Sequence, residues 1–255
     1  MNFDALGWQR FAPEGTLKNW IDHAAPFARE AAQDTSQHSD WLRCGGTWFV
    51  GVDALPNDTL GRIGDGPALV GSALDFATDR EGNLPLHRAQ VSVIYPGYPK
   101  PMLGESDAAF RFRRDRDAAH VDGLLPVGPD KRRYLQEPHA YVLGIPLNAS
   151  TASPMVVWEG SHKIMRDAFT SALAKVDPAN WHTIDLTDTY QAARRRCFET
   201  CARREISVPL GGSYLIHRLA LHGVAAWKDT DTAPTQGRMI AYFRPELSDI
   251  RHWLN

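Results

Sequence analysis

The spacing of apolar side chains predicts one long helix near the start of the chain and a series of short strands after it. Over residues 16–33 apolar positions recur at steps of three and four, which is the period of a helix, and Pro26 is expected to kink or divide that helix. Runs of β-branched and aromatic residues bounded by Gly, Pro or Asn predict strands. These runs are residues 88–95, 140–147, 154–158, 205–208, 213–216 and 239–243.

Two further helices are predicted to interrupt the strands. One begins at Ser161 as the N-cap and buries a stripe that includes Met165 and Phe169, and the other covers about residues 187–204. Strands before, between and after helices, without regular alternation, favour a mainly β fold with an antiparallel core and added helices. The sequence contains no repeat or linker, so residues 1–255 are predicted to form one domain.

Composition narrows the class of protein. The chain has 255 residues, 43% of them hydrophobic, and a net charge of -2, which predicts a globular protein with no general attraction to nucleic acid or membranes. The N-terminus lacks a basic region followed by an apolar stretch, and no segment approaches the roughly 18 apolar residues of a membrane span. A cytoplasmic location is therefore expected, and Cys44, Cys197 and Cys201 are expected to be reduced thiols.

The first candidate for chemistry is the pair His120 and Asp122. Residues two apart on an extended chain point to the same face, so an imidazole nitrogen and a carboxylate oxygen could bind one metal ion. A lone His-x-Asp pair is common, and the charged residues on either side are also typical of a solvated loop. The apolar run 123–126 favours instead a position at the mouth of a core.

A third metal ligand is sought in the apolar, strand-like run 214–224, which contains His217 and His222. Their spacing of five places them on opposite faces of a continuous strand, so at most one can reach the ion. His222 is preferred because Gly223 would let the backbone approach a crowded metal centre, and His217 is interpreted as a core or supporting histidine. Two histidines and one carboxylate with open positions form the facial arrangement of non-haem Fe(II) oxygenases.

Arg238 is the fourth candidate. It begins a predicted strand that follows His222 across the turn-rich residues 228–236, and successive strands tend to lie side by side. An arginine at the inner start of that strand could hold a carboxylate through two charge-assisted hydrogen bonds, deeper than the metal. The alternative is a surface position at a strand end, like that expected for Arg244.

In combination these residues resemble the phytanoyl-CoA dioxygenase-like branch of the Fe(II)- and 2-oxoglutarate-dependent oxygenases. The resemblance rests on residues 119–122, on the turn at 158–162, and on residues 212–223 with Arg238 beyond them. It spans roughly residues 90–245.

The resemblance implies a double-stranded β-helix, the jelly-roll or cupin-like core, over about residues 88–245, preceded by a helical and loop region over about residues 1–87. It implies a dioxygenase with Fe(II) as cofactor and 2-oxoglutarate and O2 as cosubstrates, which releases succinate and CO2 and acts on a small molecule. Halide-transferring relatives leave the position of Asp122 open for chloride, so its carboxylate favours hydroxylation over halogenation.

The resemblance also assigns roles to individual residues. His120, Asp122 and His222 are implied as the iron ligands, Arg238 as the partner of the distal carboxylate of 2-oxoglutarate, and Gln90 as a polar contact to this cosubstrate.

This chain departs from the family pattern in two places. Glu159 stands where a proline usually precedes Gly-Ser-His, and the separation of His222 from Arg238 is longer than usual, which leaves Arg244 as a second candidate for the cosubstrate. His162 is interpreted as a structural member of its turn.

Two other functions remain open from the sequence. One is a jelly-roll module that binds a metal or ligand without turnover, which the intact ligand set disfavours. The other is a zinc hydrolase with the same three ligands. Arg238 discriminates against the hydrolase, since that enzyme has no need of a buried dicarboxylate clamp.

Overall fold

A computed structural model describes residues 3–255 of the chain. Residues 1 and 2 of the predicted domain lie outside that part, and the boundary near residue 87 stays a prediction. The helices are α1 (Phe3–Leu6), α2 (Gly15–Gln33), α3 (His38–Trp41), α4 (Ser72–Glu81), α5 (Asp107–Asp115), α6 (Ser161–Leu173) and α7 (Thr187–Thr200), with 3-10 helices at Thr35–Gln37, Pro178–Thr183 and Ile250–Leu254. The strands are β1 (Trp8–Phe11), β2 (Leu42–Arg43), β3 (Trp48–Phe49), β4 (Gln90–Ile94), β5 (Leu124–Val127), β6 (Arg132–Leu135), β7 (Tyr141–Pro146), β8 (Met155–Trp158), β9 (Arg203–Ile206), β10 (Ser213–His217), β11 (His222–Val224) and β12 (Arg238–Phe243).

The strands form two antiparallel sheets and a hairpin. The large sheet has the order β1-β10-β7-β12-β4-β3-β2, the small sheet has the order β11-β8-β9, and β5 pairs with β6. All six strands predicted from the apolar runs are present, as β4, β7, β8, β9, β10 and β12. The pattern does not predict the short strands β1, β2, β5 and β6, because two to four residues are too few to establish an alternation.

The long helix α2 confirms the helical period, but the prediction that Pro26 divides it is wrong, because α2 is one helix that contains Pro26. Pro26 is exposed, so water can satisfy the carbonyl that loses its partner. The buried residues of α2 recur on both sides of the proline and hold both halves of the helix against the large sheet.

The start of α6 differs from the prediction by one residue. The N-cap is Gly160, in a left-handed conformation with φ of 82°, and Ser161 is the first helical residue. The Ser161 hydroxyl does not cap the helix, because it accepts a hydrogen bond from the Leu221 backbone N–H at 2.8 Å. The side chain thereby ties α6 to the residue before His222.

Apolar side chains form layers on both faces of the sheets, since successive residues of a strand point to opposite sides. Helices α2 and α4 cover the outer face of the large sheet through Trp20, Ala73, Val91, Leu143 and Phe243. The two sheets face each other across Val142, Met155, Val157, Ile216 and Ile240. Helices α6 and α7 cover the outer face of the small sheet through Val156, Trp158, Met165, Phe169 and Tyr190. The predicted antiparallel β core with added helices is therefore confirmed as a jelly-roll-like arrangement.

No helix within residues 3–255 is long and apolar enough to cross a membrane. The three cysteines, Cys44, Cys197 and Cys201, are free thiols.

Candidate metal centre

His120 and His222 are brought together by a backbone bridge. His222 is the first residue of β11 and lies opposite Val157 of β8. His120 is outside any strand, but its N–H donates to the His222 carbonyl at 2.8 Å and its carbonyl accepts from the His222 N–H at 3.0 Å. The extended strand predicted at His120 and Asp122 is therefore wrong, since a single bridge followed by a turn takes its place. The two side chains nevertheless meet, as predicted.

The side chains of His120, Asp122 and His222 converge on one point. Each offers one possible metal-ligating atom, and these atoms lie within 4.8 Å of one another. His120 Nε2 is 3.1 Å from Asp122 Oδ1, and His222 Nε2 is 3.7 Å from Asp122 Oδ2. The other ring nitrogens are already engaged, because Nδ1 of His120 lies 3.0 Å from the Ala118 carbonyl and Nδ1 of His222 lies 2.9 Å from the Ala220 carbonyl.

These contacts fix the tautomer of both rings. A carbonyl oxygen can only accept, so Nδ1 of each neutral ring carries the proton and Nε2 keeps its lone pair. Both lone pairs are thus available on the side of Asp122. Backbone contacts of this kind commonly orient metal-binding histidines, and the group is able to hold a metal ion.

The segment before His120 is held in an unusual conformation by its neighbours. Asp117 and Ala118 both have a positive φ, 55° and 51°. The buried Asp117 carboxylate accepts two hydrogen bonds of 2.8 Å from the Arg203 guanidinium of β9. A Cβ on Gly223 would lie 2.1 Å from the Asp117 carbonyl. The expected close approach at Gly223 is therefore present, and what approaches is the segment that carries His120.

Charge around Asp122 keeps its carboxylate ionised. Its side chain is 8% exposed, and Arg244 Nη1 lies 3.5 Å from Oδ2. Burial would raise the pKa of Asp122, but Arg244 and the hydrogen bonds that His120 and His222 donate when their Nε2 atoms are protonated hold that pKa well below its usual range. Burial would lower the pKa of His120, whereas the hydrogen bond that its protonated ring donates to Asp122 and the charge of that carboxylate give a net rise. The site is an anion between two imidazoles, an environment that favours a cation.

The three residues line a cavity of about 240 Å³ between the two sheets. The His120 side chain is 47% exposed, which leaves the group accessible from solvent. Most of the remaining wall is apolar and comes from Trp48, Val50, Val52, Val142, Met155 and Val224. Gln90 is also in this wall, opposite Tyr242 in the register of β4 and β12, so the structure brings Gln90 to the same cavity as the histidines.

Arg238 is buried, with 4% of its surface exposed, so the alternative of a surface position is wrong. It faces the space between the sheets on the same side of β12 as Tyr242, and its Nη2 donates to the Tyr242 hydroxyl at 3.4 Å. The Tyr214 hydroxyl donates to the same oxygen at 3.0 Å. Among residues 3–255, Arg238 Nη1 has no hydrogen-bond partner. Arg238 thus lies behind Tyr242, which itself lines the cavity.

Arg244 occupies a different place from Arg238. It follows β12, lines the cavity directly and has a side chain that is 20% exposed beside Asp122. The sequence points to Arg244 only as a second candidate for the cosubstrate and misses its contact with Asp122. It also misses the Arg203 to Asp117 pair, because the partners lie 86 positions apart and no local pattern links them.

His217 does not join the metal-binding group. It ends β10, and the chain turns before His222 begins β11, so the assumption of one continuous strand is wrong although its conclusion stands. His217 is buried, as expected of a core histidine, and its ring lies 4.8 Å from that of His162. His162 donates through Nε2 to the Asp4 carbonyl at 3.1 Å, a tie that joins its turn to α1.

Comparison with known proteins shows which solved structures share the fold of this chain. No family model matches the chain, and no curated protein matches it. Among solved structures, a non-heme alpha ketoglutarate dependent carbocyclase, SnoK from nogalamycin biosynthesis, is similar over 95% of this chain and 81% of its own, with a TM-score of 0.53 and 14% identity. The non-heme alpha ketoglutarate dependent epimerase SnoN is similar over 96% of this chain and 80% of its own, with a TM-score of 0.50 and 12% identity. The chain therefore shares the fold of these enzymes.

Proposed function

We propose that this chain is an Fe(II)- and 2-oxoglutarate-dependent oxygenase of the phytanoyl-CoA dioxygenase-like kind, which hydroxylates a small molecule within a double-stranded β-helix core. The observation that carries the proposal is the convergence of His120, Asp122 and His222 at one cavity, with both Nε2 lone pairs on the side of the carboxylate. Two imidazoles and one carboxylate are the donor set that leaves positions open on Fe(II).

The three side chains fit the iron in charge as well as in donor type. Asp122 supplies one negative charge and the histidines supply neutral nitrogens, so the group does not fully neutralise a divalent ion and leaves it able to take an anionic cosubstrate. When bound, iron with 2-oxoglutarate and O2 supplies the oxidising power for hydroxylation, and 2-oxoglutarate leaves as succinate and CO2.

Arg238 and Tyr242 supply the contacts for the far end of 2-oxoglutarate. The Tyr242 oxygen accepts from both Arg238 and Tyr214, so its own O–H remains free to donate into the cavity. Arg238 adds a positive charge and an Nη1 that has no partner among residues 3–255, behind that hydroxyl. A dicarboxylate with one end at the histidines extends its other end away from them, towards this pair, and charge-assisted hydrogen bonds of this kind are strong.

Arg244 serves a different purpose, since it lies 3.5 Å from Asp122 and is too close to the metal ligands to meet the far end of a bound dicarboxylate. It keeps Asp122 charged and restricts its orientation. Gln90 contributes an amide to the same wall. The apolar side chains around them exclude water from the reacting groups.

The two other functions make different demands on these residues. A zinc hydrolase would need the three ligands and a water, but not a buried arginine with an unpartnered N–H beside a tyrosine pair. A module without turnover would bind the metal and the small molecule and release no product. The buried position of Arg238 favours the oxygenase over the hydrolase.

The proposal is tested by loading the protein with Fe(II) without oxygen, adding 2-oxoglutarate and recording the visible absorption that such complexes show. O2 is then admitted and succinate is measured. We expect absorption and succinate from the wild type and neither from Asp122→Ala. Absence of both from the wild type, or an equal response in the variant, would contradict the proposal. Absorption without succinate, even with a panel of small-molecule substrates, would favour the binding module.

A further inference from the structure

A second cavity lies at the end of β10, apart from the metal-binding group. It has a volume of about 660 Å³ and lies between α1, α4, α6 and the end of β10, with His162, Arg166 and His217 in its wall. It shares no lining residue with the cavity of His120 and His222. Its volume is in the range of sites that bind small molecules.

Two hydrogen-bond donors face each other in this cavity. Nδ1 of His217 accepts from the Leu219 backbone N–H at 3.0 Å, so Nδ1 has no proton and the neutral ring carries its proton on Nε2. That Nε2 lies 3.2 Å from Nη2 of Arg166. Arginine has no acceptor atom and a neutral imidazole has one lone pair, so the His217 ring cannot accept from both Leu219 and Arg166. With that lone pair at Nδ1, the Nε2–H of His217 and the facing N–H of Arg166 have no acceptor in each other, and a third group must supply one.

Bulk water does not solvate the His217 ring. The residue is 6% exposed, and an unmatched polar group at such a position is costly. Arg166 Nε is also buried without a hydrogen-bond partner among the described residues, and within residues 3–255 no carboxylate forms an ion pair with Arg166. The missing partner is therefore an acceptor, and the charge of Arg166 favours an anionic one.

The other cations of the wall are already matched. Arg218 donates to Glu81 and to the backbone carbonyls of Ala140 and Trp253, and Arg80 pairs with Asp4. Arg166 is the cation left for a ligand. Burial and the charges of Arg218, Arg166 and Arg80 also lower the pKa of His217 well below its usual range, so its ring stays neutral and acts as a donor through Nε2.

We propose that this cavity is a second ligand site, which binds the oxyanion of a small molecule, a phosphate or a carboxylate, between Arg166 and His217. An oxyanion oxygen can accept from the Arg166 N–H and the His217 N–H at once. The unfavourable contact between two donors is then replaced by two charge-assisted hydrogen bonds. The site is independent of the metal centre, so it stands whether or not the chain is an oxygenase.

The test is calorimetric titration of the full chain at low ionic strength, with inorganic phosphate in one arm and acetate in the other. We expect saturable binding of at least one anion and a loss of about tenfold or more in affinity in Arg166→Gln, since one charged hydrogen bond is removed. The arm that binds more tightly identifies the head group. Lys175→Gln, which removes an exposed charge just beyond α6, and Arg244→Gln, at the metal cavity, should bind as the wild type does.

Three outcomes would overturn the proposal: no saturable binding of either anion, equal affinity in Arg166→Gln, or loss of binding in Arg244→Gln, which would place the anion at the metal centre. Thermal unfolding without anion shows whether Arg166→Gln is folded. If it is not, Arg166→Lys takes its place, because it keeps the charge but loses the fork that reaches His217. That variant should bind more weakly than the wild type, and unchanged affinity would count against the site.

Discussion

Two pairs of histidines in this molecule have the same spacing and opposite surroundings. The rings of His120 and His222 lie 4.8 Å apart, and so do the rings of His162 and His217. Between the first two lies the carboxylate of Asp122, whereas the second two are surrounded by arginines. Proximity of two imidazoles is therefore not what makes a metal site.

The two pairs of histidines also differ in the direction of their nitrogen lone pairs. His120 and His222 use Nδ1 to donate to backbone carbonyls, which leaves Nε2 of each ring free on the side of Asp122. His162 and His217 use different nitrogens, since Nε2 of His162 donates to a carbonyl while Nδ1 of His217 accepts from a backbone N–H. The first pair directs two lone pairs towards one point, where a metal ion could bind, and the second does not.

Removing Asp122 should abolish the difference in charge between the pairs. Asp122→Ala takes away the charge between His120 and His222, and we expect affinity for Fe(II) to fall by more than roughly 100-fold, beyond the usual effect of altering an outer contact of a metal site. Anaerobic titration with Fe(II) measures it. Asp130→Ala, which removes an exposed carboxylate of the next hairpin, is the control and should bind as the wild type does. Retention of iron by Asp122→Ala would show that the carboxylate is not what distinguishes the pairs.

A second change separates the two arginines near the first pair. Arg238→Gln should raise the concentration of 2-oxoglutarate needed for half-maximal succinate formation by roughly 50-fold, because a charged hydrogen bond to the far carboxylate is lost. Its Fe(II) content should be unchanged. Arg244→Gln should instead weaken Fe(II) binding, since Arg244 contacts Asp122. The opposite result would assign the cosubstrate to Arg244.

The second pair should make the fold sensitive to acid. Burial, with the nearby charges of Arg166 and Lys163, lowers the pKa of His162 to about 4 from 6.5. Above pH 6.5 the ring is neutral in both states and its full contribution to stability is present. Between pH 6.5 and 4 the unfolded chain takes up a proton that the folded chain refuses, so the free energy of unfolding falls as the pH falls.

His162→Gln should reduce that loss by about 2 kcal/mol between pH 7 and pH 4.5, measured by denaturant unfolding at both values. Glutamine can still donate to the Asp4 carbonyl. His182→Gln, at an exposed histidine, is the control and should follow the wild type. An acid loss of the same size in His162→Gln would mean that His162 is not responsible.

The smallest expected effect concerns the segment that positions His120. Arg203→Met leaves the buried Asp117 carboxylate without its two hydrogen bonds, and the positive-φ conformation before His120 loses its support. We expect Fe(II) affinity to fall roughly tenfold, as for other changes behind a metal ligand. Arg204→Met changes the neighbouring arginine, which contacts Glu159 and not Asp117, and should have little effect. Equal Fe(II) affinity in Arg203→Met and the wild type would show that the His120 segment holds its conformation without Arg203.

Much of the fold could be predicted because its pattern is local. Apolar runs such as those of β4 and β12 predict strands, and the spacing of apolar residues in α2 predicts a helix. The errors arise where the surroundings of a residue override its local pattern. The Ser161 hydroxyl accepts from the Leu221 N–H, next to His222, instead of capping α6, and Pro26 is tolerated because it lies on the exposed face of α2.

The candidate site divides in the same way. The convergence of His120, Asp122 and His222 could be predicted from residue type, spacing and resemblance, because the side chains that can bind a metal are few. The Arg203 to Asp117 pair and the Arg244 contact to Asp122 are not, since each joins segments far apart along the chain.

The sequence by itself located the longer elements, namely six strands and the helices α2, α6 and α7, and the candidate metal ligands, because each depends on residue type and on the pattern of neighbouring residues. Only the tertiary structure decided which histidines share a carboxylate, that Arg238 is buried behind Tyr242, and that His217 and Arg166 face each other as two donors. The physical reason is that ligation, burial and hydrogen-bond matching depend on distances between segments, and those distances exist only once the two sheets and their helices are packed together.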